Sequence, residues 1–173
     1  MHGVNVLTGR CVVADIVILA CGNLSRGDDA IGPLLLERLQ NWVDENGLSD
    51  RFELIYEYQF QIEHALALQE RQLALFIDAS VSTKMPYEFY AIEHASKDFA
   101  HTSHALSPEA VLNVWGQIES APPPPSFVLS IRGEQFELGE GMSQSAQRNM
   151  DEAFEFLMTL CTQVNLDAWN AMA

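Results

Sequence analysis

Apolar and polar residues switch between two periods along this chain, and the switches mark its elements. From Asp15 to Cys21 the run DIVILAC is continuous and rich in β-branched residues, as in a strand covered on both faces. Apolar residues then recur at Ile31, Leu34, Leu35, Leu39, Trp42 and Val43, close to the 3.6-residue helical period. Pro33 falls in the first turn of that helix, where a missing N–H costs little, and Gly47 ends it. RFELIYEY (51–58) predicts a second strand, and IEHALALQE (62–70) a second helix with Ile62, Ala65, Leu66 and Leu68 inward. LALFIDA (73–79) is a short apolar third strand. MPYEFYAIEH (85–94) alternates and carries Pro86 near its start, which predicts a half-exposed edge strand.

The second half continues in the same way. SPEAVLNVWGQIE (107–119) predicts a helix with Ser107 as its N-cap and Pro108 at its first position. APPPPS (121–126) is a stiff connection, and SFVLSIRG (126–133) a buried strand. SQSAQRNMDEAFEFLMTLCTQV (143–164) predicts a final helix capped by Ser143, with Met150, Ala153, Phe154, Leu157 and Leu160 on one face. The order βαβαββαβα implies a three-layer α/β domain with a mostly parallel sheet and one antiparallel edge strand.

Composition narrows the function. The chain has 173 residues, 48% of them hydrophobic, which is enough for one domain with a sizeable core. Its net charge is −15, from 9 Lys and Arg against 24 Asp and Glu. Nucleic-acid binding needs clustered cations, and none occur, so no nucleic-acid partner is expected. The same deficit argues against docking on an anionic membrane. Apolar runs fall well short of a membrane span. The N-terminal stretch carries Arg10 and Asp15 within it and makes a poor secretory signal. Cys11, Cys21 and Cys161 are odd in number and far apart, which suits reduced thiols and a cytoplasmic location.

The chemistry gathers where strands end, since ligands of open α/β sheets bind beyond the carboxyl ends of the strands. CGNLSRGDDAIG (21–32) places Asn23, Asp28 and Asp29 in a glycine-punctuated turn between a strand and a helix. That layout often holds phosphate, but Gly27 is followed by two acids instead of the Lys and Ser or Thr of a phosphate loop. Two carboxylates repel a phosphate, and Arg26 offsets only part of that. A cation is the better guest. Asp78 closes the third strand in FIDAS, and His101 and His104 stand in HTSHALSP before the 107 helix. Glu63 and His64 follow the second strand. Carboxylate oxygens with an imidazole suit a borderline transition metal such as nickel or zinc. Each residue also has a plainer reading. Asp28 alone reads as a helix cap, and Cys21 as a small buried apolar residue. His101, His104, Glu63 and His64, taken singly, read as loop or cap residues.

Four stretches in this order resemble the hydrogenase maturation proteases, which process the large subunit of nickel–iron hydrogenases. They are GNLSRGDDAIG (22–32), FIDAS (76–80), SHALSPEAVL (103–112) and LSIRGEQFELGEGMS (129–143), within a match over residues 15–162. YQFQIEHALAL (58–68) further resembles the branch serving bidirectional, NAD-linked hydrogenases. The resemblance implies a twisted, mostly parallel five-stranded sheet between helices, in a single peptidase domain over 15–164. Residues 1–14 are then an N-terminal extension and 165–173 a C-terminal tail. It implies metal ligands at Asp29, Asp78 and His104, with Asp28 as a catalytic base or supporting partner beside Asp29 and Asp78. The implied activity is removal of a short C-terminal peptide from the hydrogenase large-subunit precursor. The nickel would come with that substrate. The ion either polarises the scissile carbonyl, or the protein positions a strained metal-bound peptide for attack. A non-catalytic nickel chaperone and a flavodoxin-like small-molecule module are the competing readings.

Overall fold

The computed structural model describes residues 14–94 and 106–173. Five strands form one sheet in the order β2-β1-β3-β5-β4. They are β1 (Ile16–Cys21), β2 (Phe52–Glu57), β3 (Leu73–Ser80), β4 (Tyr87–Ile92) and β5 (Ser126–Arg132). All neighbours are parallel except β4, which runs antiparallel along β5 at the edge. The α-helices are α1 (Ile31–Glu45), α2 (Pro108–Ile118), α3 (Gln144–Thr162) and α4 (Leu166–Met172). The expected three-layer α/β architecture with an antiparallel edge strand is the one observed.

Side-chain alternation along the strands divides the core in two. Ile16, Ile18 and Ala20 of β1 join Leu73, Leu75 and Ile77 of β3 under α1, α3 and α4. Val17, Leu19 and Cys21 join Ala74, Phe76 and Val128 on the other face. There they meet Ala65, Leu68, Val111, Leu112 and Trp115. Both central strands are thus apolar on both faces, which is why their sequences read as unbroken runs. Ser107 and Ser143 cap α2 and α3 as expected, each accepting a hydrogen bond from the backbone N–H three residues on.

Two expectations change. Residues 62–70 do not form an α-helix; Ile62–Leu68 is a 3₁₀ helix. Its tighter winding turns His64, Ala65 and Leu68 inward and leaves Ile62 and Leu66 exposed. The expected tail at 165–173 contains α4, capped by the Asn165 side chain, which accepts from the Ala168 N–H. Trp169 is 0% exposed. Its indole N–H donates to the Leu160 carbonyl at 3.1 Å, and its ring meets Phe127 edge-on at 5.3 Å. The buried ring, with Met172 packed beside the same core, makes this segment part of it.

Trp169→Ala is expected to cost about 3–5 kcal/mol, the range for emptying a buried aromatic site. Urea denaturation of the two proteins measures it; an unchanged midpoint means α4 is peripheral.

Candidate active site

Strand register builds the site. Ala20 of β1 pairs with Ile77 of β3, so the next residues, Cys21 and Asp78, stand side by side on the α2 face at the carboxyl ends of the two strands. Asp78 is aligned with Ser130 of β5, Ser130 with Glu88 of β4, and Cys21 with Glu57 of β2. A row of heteroatom-bearing side chains therefore crosses the whole sheet directly above the apolar rows. Such a row is expected where a sheet stops being core and begins to meet a ligand.

Asp78 is held at one oxygen. Its Oδ1 accepts from the Cys21 thiol at 3.3 Å and from the Ala79 N–H at 2.8 Å. Oδ2 takes no hydrogen bond among the described residues. Burial raises the Asp78 pKa above the ordinary carboxylate range, the two hydrogen bonds pull it back, and the charge of Asp29 adds to the rise. Burial likewise raises the Cys21 pKa, and the charges of Asp78 and Asp29 reinforce it. The thiol stays protonated and acts as a donor.

The glycine turn brings Asp29 to the same place. Gly22 has φ +145°, and a β-carbon there would overlap the Asp29 carbonyl. Only glycine allows the turn to fold back this closely on the end of β1. The Asp29 Oδ2 accepts from the Asn23 N–H at 3.1 Å, and its Oδ1 takes no hydrogen bond among the described residues. Burial raises the Asp29 pKa, while the Asn23 N–H and the charge of Arg26 lower it. The Arg26 guanidinium is spent elsewhere, donating to the Phe136 carbonyl at 2.8 Å. Each carboxylate is thus pinned through one oxygen, and the charge of Asp29 is felt at both Asp78 and Cys21. Among the described residues neither carboxylate has a salt-bridge partner. Beside Asp78 opens a cleft of about 240 Å³ walled by Ser80, Glu88, Tyr90, Glu109 and Ser130.

Asp28 does something different from its neighbour. It is 0% exposed. Its Oδ2 accepts from the Glu134 N–H at 2.7 Å, the Gln135 N–H at 3.0 Å and the Ser143 hydroxyl at 3.0 Å. Its Oδ1 accepts from the Ser143 N–H at 2.7 Å. Burial works to raise its pKa, but these bonds prevail and hold it below the ordinary value. A depressed pKa and a filled acceptor set make a poor proton acceptor, so the expected role as catalytic base gives way to that of an anchor. The bonds tie the glycine turn to the strap that runs from β5 to α3. Backbone bonds repeat the tie: Gly27 N–H to Glu140, Asp28 N–H to Gln135, and Gly139 N–H to Ser25. Gly27, at φ +55°, packs against the Gln135 carbonyl where a β-carbon would clash.

His64 is also local in its role. Its Nδ1 accepts from the Gln61 N–H at 2.8 Å and caps the 3₁₀ helix, and Glu63 is exposed. His101 and His104 lie outside the described residues, as do Cys11 and most of the N-terminal extension. Among the described residues no three His, Cys, Asp or Glu side chains converge as metal ligands. Asp29 and Asp78 each keep one carboxylate oxygen without a hydrogen bond among the described residues.

No protein-family model matches the chain, and no curated protein matches it by sequence. Its fold is similar to solved structures. One is the NiFe hydrogenase maturation protease HycI from Thermococcus kodakarensis, at 22% identity and a TM-score of 0.64, over 87% of this chain and 94% of that one. Another is the hydrogenase maturating endopeptidase HybD from Escherichia coli, at 18% identity and a TM-score of 0.63, over 86% and 93%. A third, the maturation protease HybD from T. kodakarensis, aligns at 17% identity and a TM-score of 0.59, over 84% and 97%. At such identities the likeness is one of fold.

Asp28→Asn is expected to lower stability by about 3 kcal/mol, because an amide cannot accept all four bonds and places N–H against N–H. The sign with pH follows from the depressed folded-state pKa. The ionised form stabilises the fold above the unfolded value, about 3.9, and that stability is lost as pH falls through the folded value. The Tm difference between wild type and variant should therefore narrow on acidification. A difference that stays constant or widens means Asp28 is not the anchor.

Proposed function

We propose that this chain is a hydrogenase maturation endopeptidase, removing a short C-terminal peptide from the nickel-loaded large-subunit precursor of a nickel–iron hydrogenase. The observation that carries the reading is the pair formed by Asp29 and Asp78. Each is fixed through one oxygen, and among the described residues the other oxygen takes no hydrogen bond. Burial raises the pKa of both, the charge of Asp29 adds to the rise at Asp78, and both carboxylates favour a positive charge nearby. The likeness in fold to three maturation proteases, over more than four-fifths of this chain, supports the same reading.

In this proposal nickel arrives as part of the substrate. Asp29 and Asp78 dock onto the precursor's nickel through their free oxygens, and His104 adds an imidazole on the strength of the sequence resemblance. A site with few protein donors suits an ion already held by another protein, because it grips the loaded precursor and lets the product go. Docking orients the scissile peptide over the sheet edge. With both free oxygens engaged, the chemistry falls to the substrate's own nickel, which would polarise the scissile carbonyl towards an attacking water. Asp28, fully hydrogen-bonded, holds Asp29 in place through the turn.

The bidirectional, NAD-linked branch is a further part of the proposal and rests on YQFQIEHALAL alone. A cytoplasmic setting is proposed from the odd, widely spaced cysteines. Among the described residues no helix is long and apolar enough to cross a membrane.

Incubating the purified protein with nickel-loaded precursor and weighing the product tests the reading. Wild type is expected to shorten the precursor at its C-terminus and to leave nickel-free precursor intact. Asp29→Asn and Asp78→Asn should each slow cleavage roughly 100-fold or more. Because each removes a charge that burial disfavours, their Tm should equal or exceed that of wild type. Tight nickel uptake without cleavage would instead identify a chaperone, and normal trimming by Asp78→Asn would remove the site from the reaction.

A further inference from the structure

Cys21 is packed with the core residues of its face and is 8% exposed, yet its sulfur is turned to the one carboxylate that ends the neighbouring strand. We infer that Cys21 is a positioning residue for Asp78: its S–H, together with the Ala79 N–H, secures Oδ1 and thereby leaves Oδ2 as the oxygen presented to the substrate's metal. This rests on the function proposed above.

The geometry supports the role in three ways. Register brings the two residues side by side on one face of adjacent parallel strands, so the contact is built into the sheet and does not depend on a loop. Both recorded bonds to Asp78 fall on the same oxygen, which fixes the carboxylate plane without using its second oxygen. The donor is also a weak one. A guanidinium or ammonium here would neutralise Asp78 and compete with the incoming cation. An aliphatic residue would leave Oδ1 with the backbone N–H alone and allow the side chain to swing about its terminal torsion, which is broad and shallow. The thiol orients Asp78 while leaving it free to bind.

Packing and positioning rank substitutions in opposite orders. If Cys21 only fills space, Val and Ala are tolerated and Ser, which brings a hydroxyl into an apolar layer, is the worst. If it positions Asp78, Ser is the best because it keeps a donor. The test measures cleavage of nickel-loaded precursor by wild type, Cys21→Ser, Cys21→Ala and Cys21→Val over a range of precursor concentrations, with Tm recorded for each. The expected result is a loss of about tenfold in kcat for Ala and Val, the worth of one hydrogen bond to a charged group. KM should stay within about twofold, and Ser should retain most of the rate even where its Tm is lowest. Should Cys21→Ser fail to fold, Ala and Val decide. Wild-type rates in both, or losses that follow Tm, overturn the inference. Failure of wild type itself to cut the precursor overturns the proposed function, and with it this role.

Discussion

A buried carboxylate with every acceptor position engaged holds this site together. Isolated in the interior, the charge of Asp28 would be costly; three backbone N–H groups and a hydroxyl offset that cost. In doing so they join two segments more than one hundred residues apart in sequence, the glycine turn after β1 and the strap before α3. The turn sets where Asp29 stands, and the strap has no regular structure of its own to fix it. The Asp28 carboxylate adds four bonds to the backbone ties between them, and it is the one buried charge among the described residues that needs both segments in place. The two adjacent acids of the glycine turn thus differ: Asp28 faces inward and builds, while Asp29 is half-buried and keeps one oxygen without a hydrogen bond among the described residues.

The other half of the site comes from the sheet. Parallel register places Cys21 beside Asp78, and the apolar rows below exclude water from their bases. Asp29 and Asp78 are then two like charges held near each other in a partly dry setting. That is an unfavourable arrangement for two ionised carboxylates, and burial raises the pKa of both. The stability given up at this edge is supplied by the layers on either side of the sheet, including the late contribution of Trp169.

Much of this was legible in sequence, and the misses have physical causes. The strands β1, β3 and β5 read correctly because burial on both faces leaves a continuous apolar run. The half-exposed β4 read correctly because alternation and Pro86 mark an edge. That Asp78 lies near the end of β3 and Asp29 in the turn after β1 is legible from the apolar runs that precede them. Asp28 was misjudged because its partners, Glu134, Gln135 and Ser143, lie in a loop whose path no local pattern reveals. The single available sign was a capping Ser143 ahead of α3, next to a glycine-rich stretch. Ile62 and Leu66 were placed inward by assuming 3.6 residues per turn where the chain winds at about three. His64, which taken singly reads as a loop or cap residue, does cap the 3₁₀ helix, its Nδ1 accepting from the Gln61 N–H. The segment 165–173 is mostly apolar and carries Trp169, but it is too short for its period to mark a core helix.

The long-range tie between turn and strap also has a temporal side. A chain emerging from the ribosome presents β1 and the acidic turn early, but Ser143 and the strap come near the end. Until they emerge, Asp28 lacks its four donors and Asp29 lacks a fixed seat. A nascent or truncated copy therefore carries the acids without the geometry that seats them. That geometry is complete only when the last third of the chain folds back onto the first.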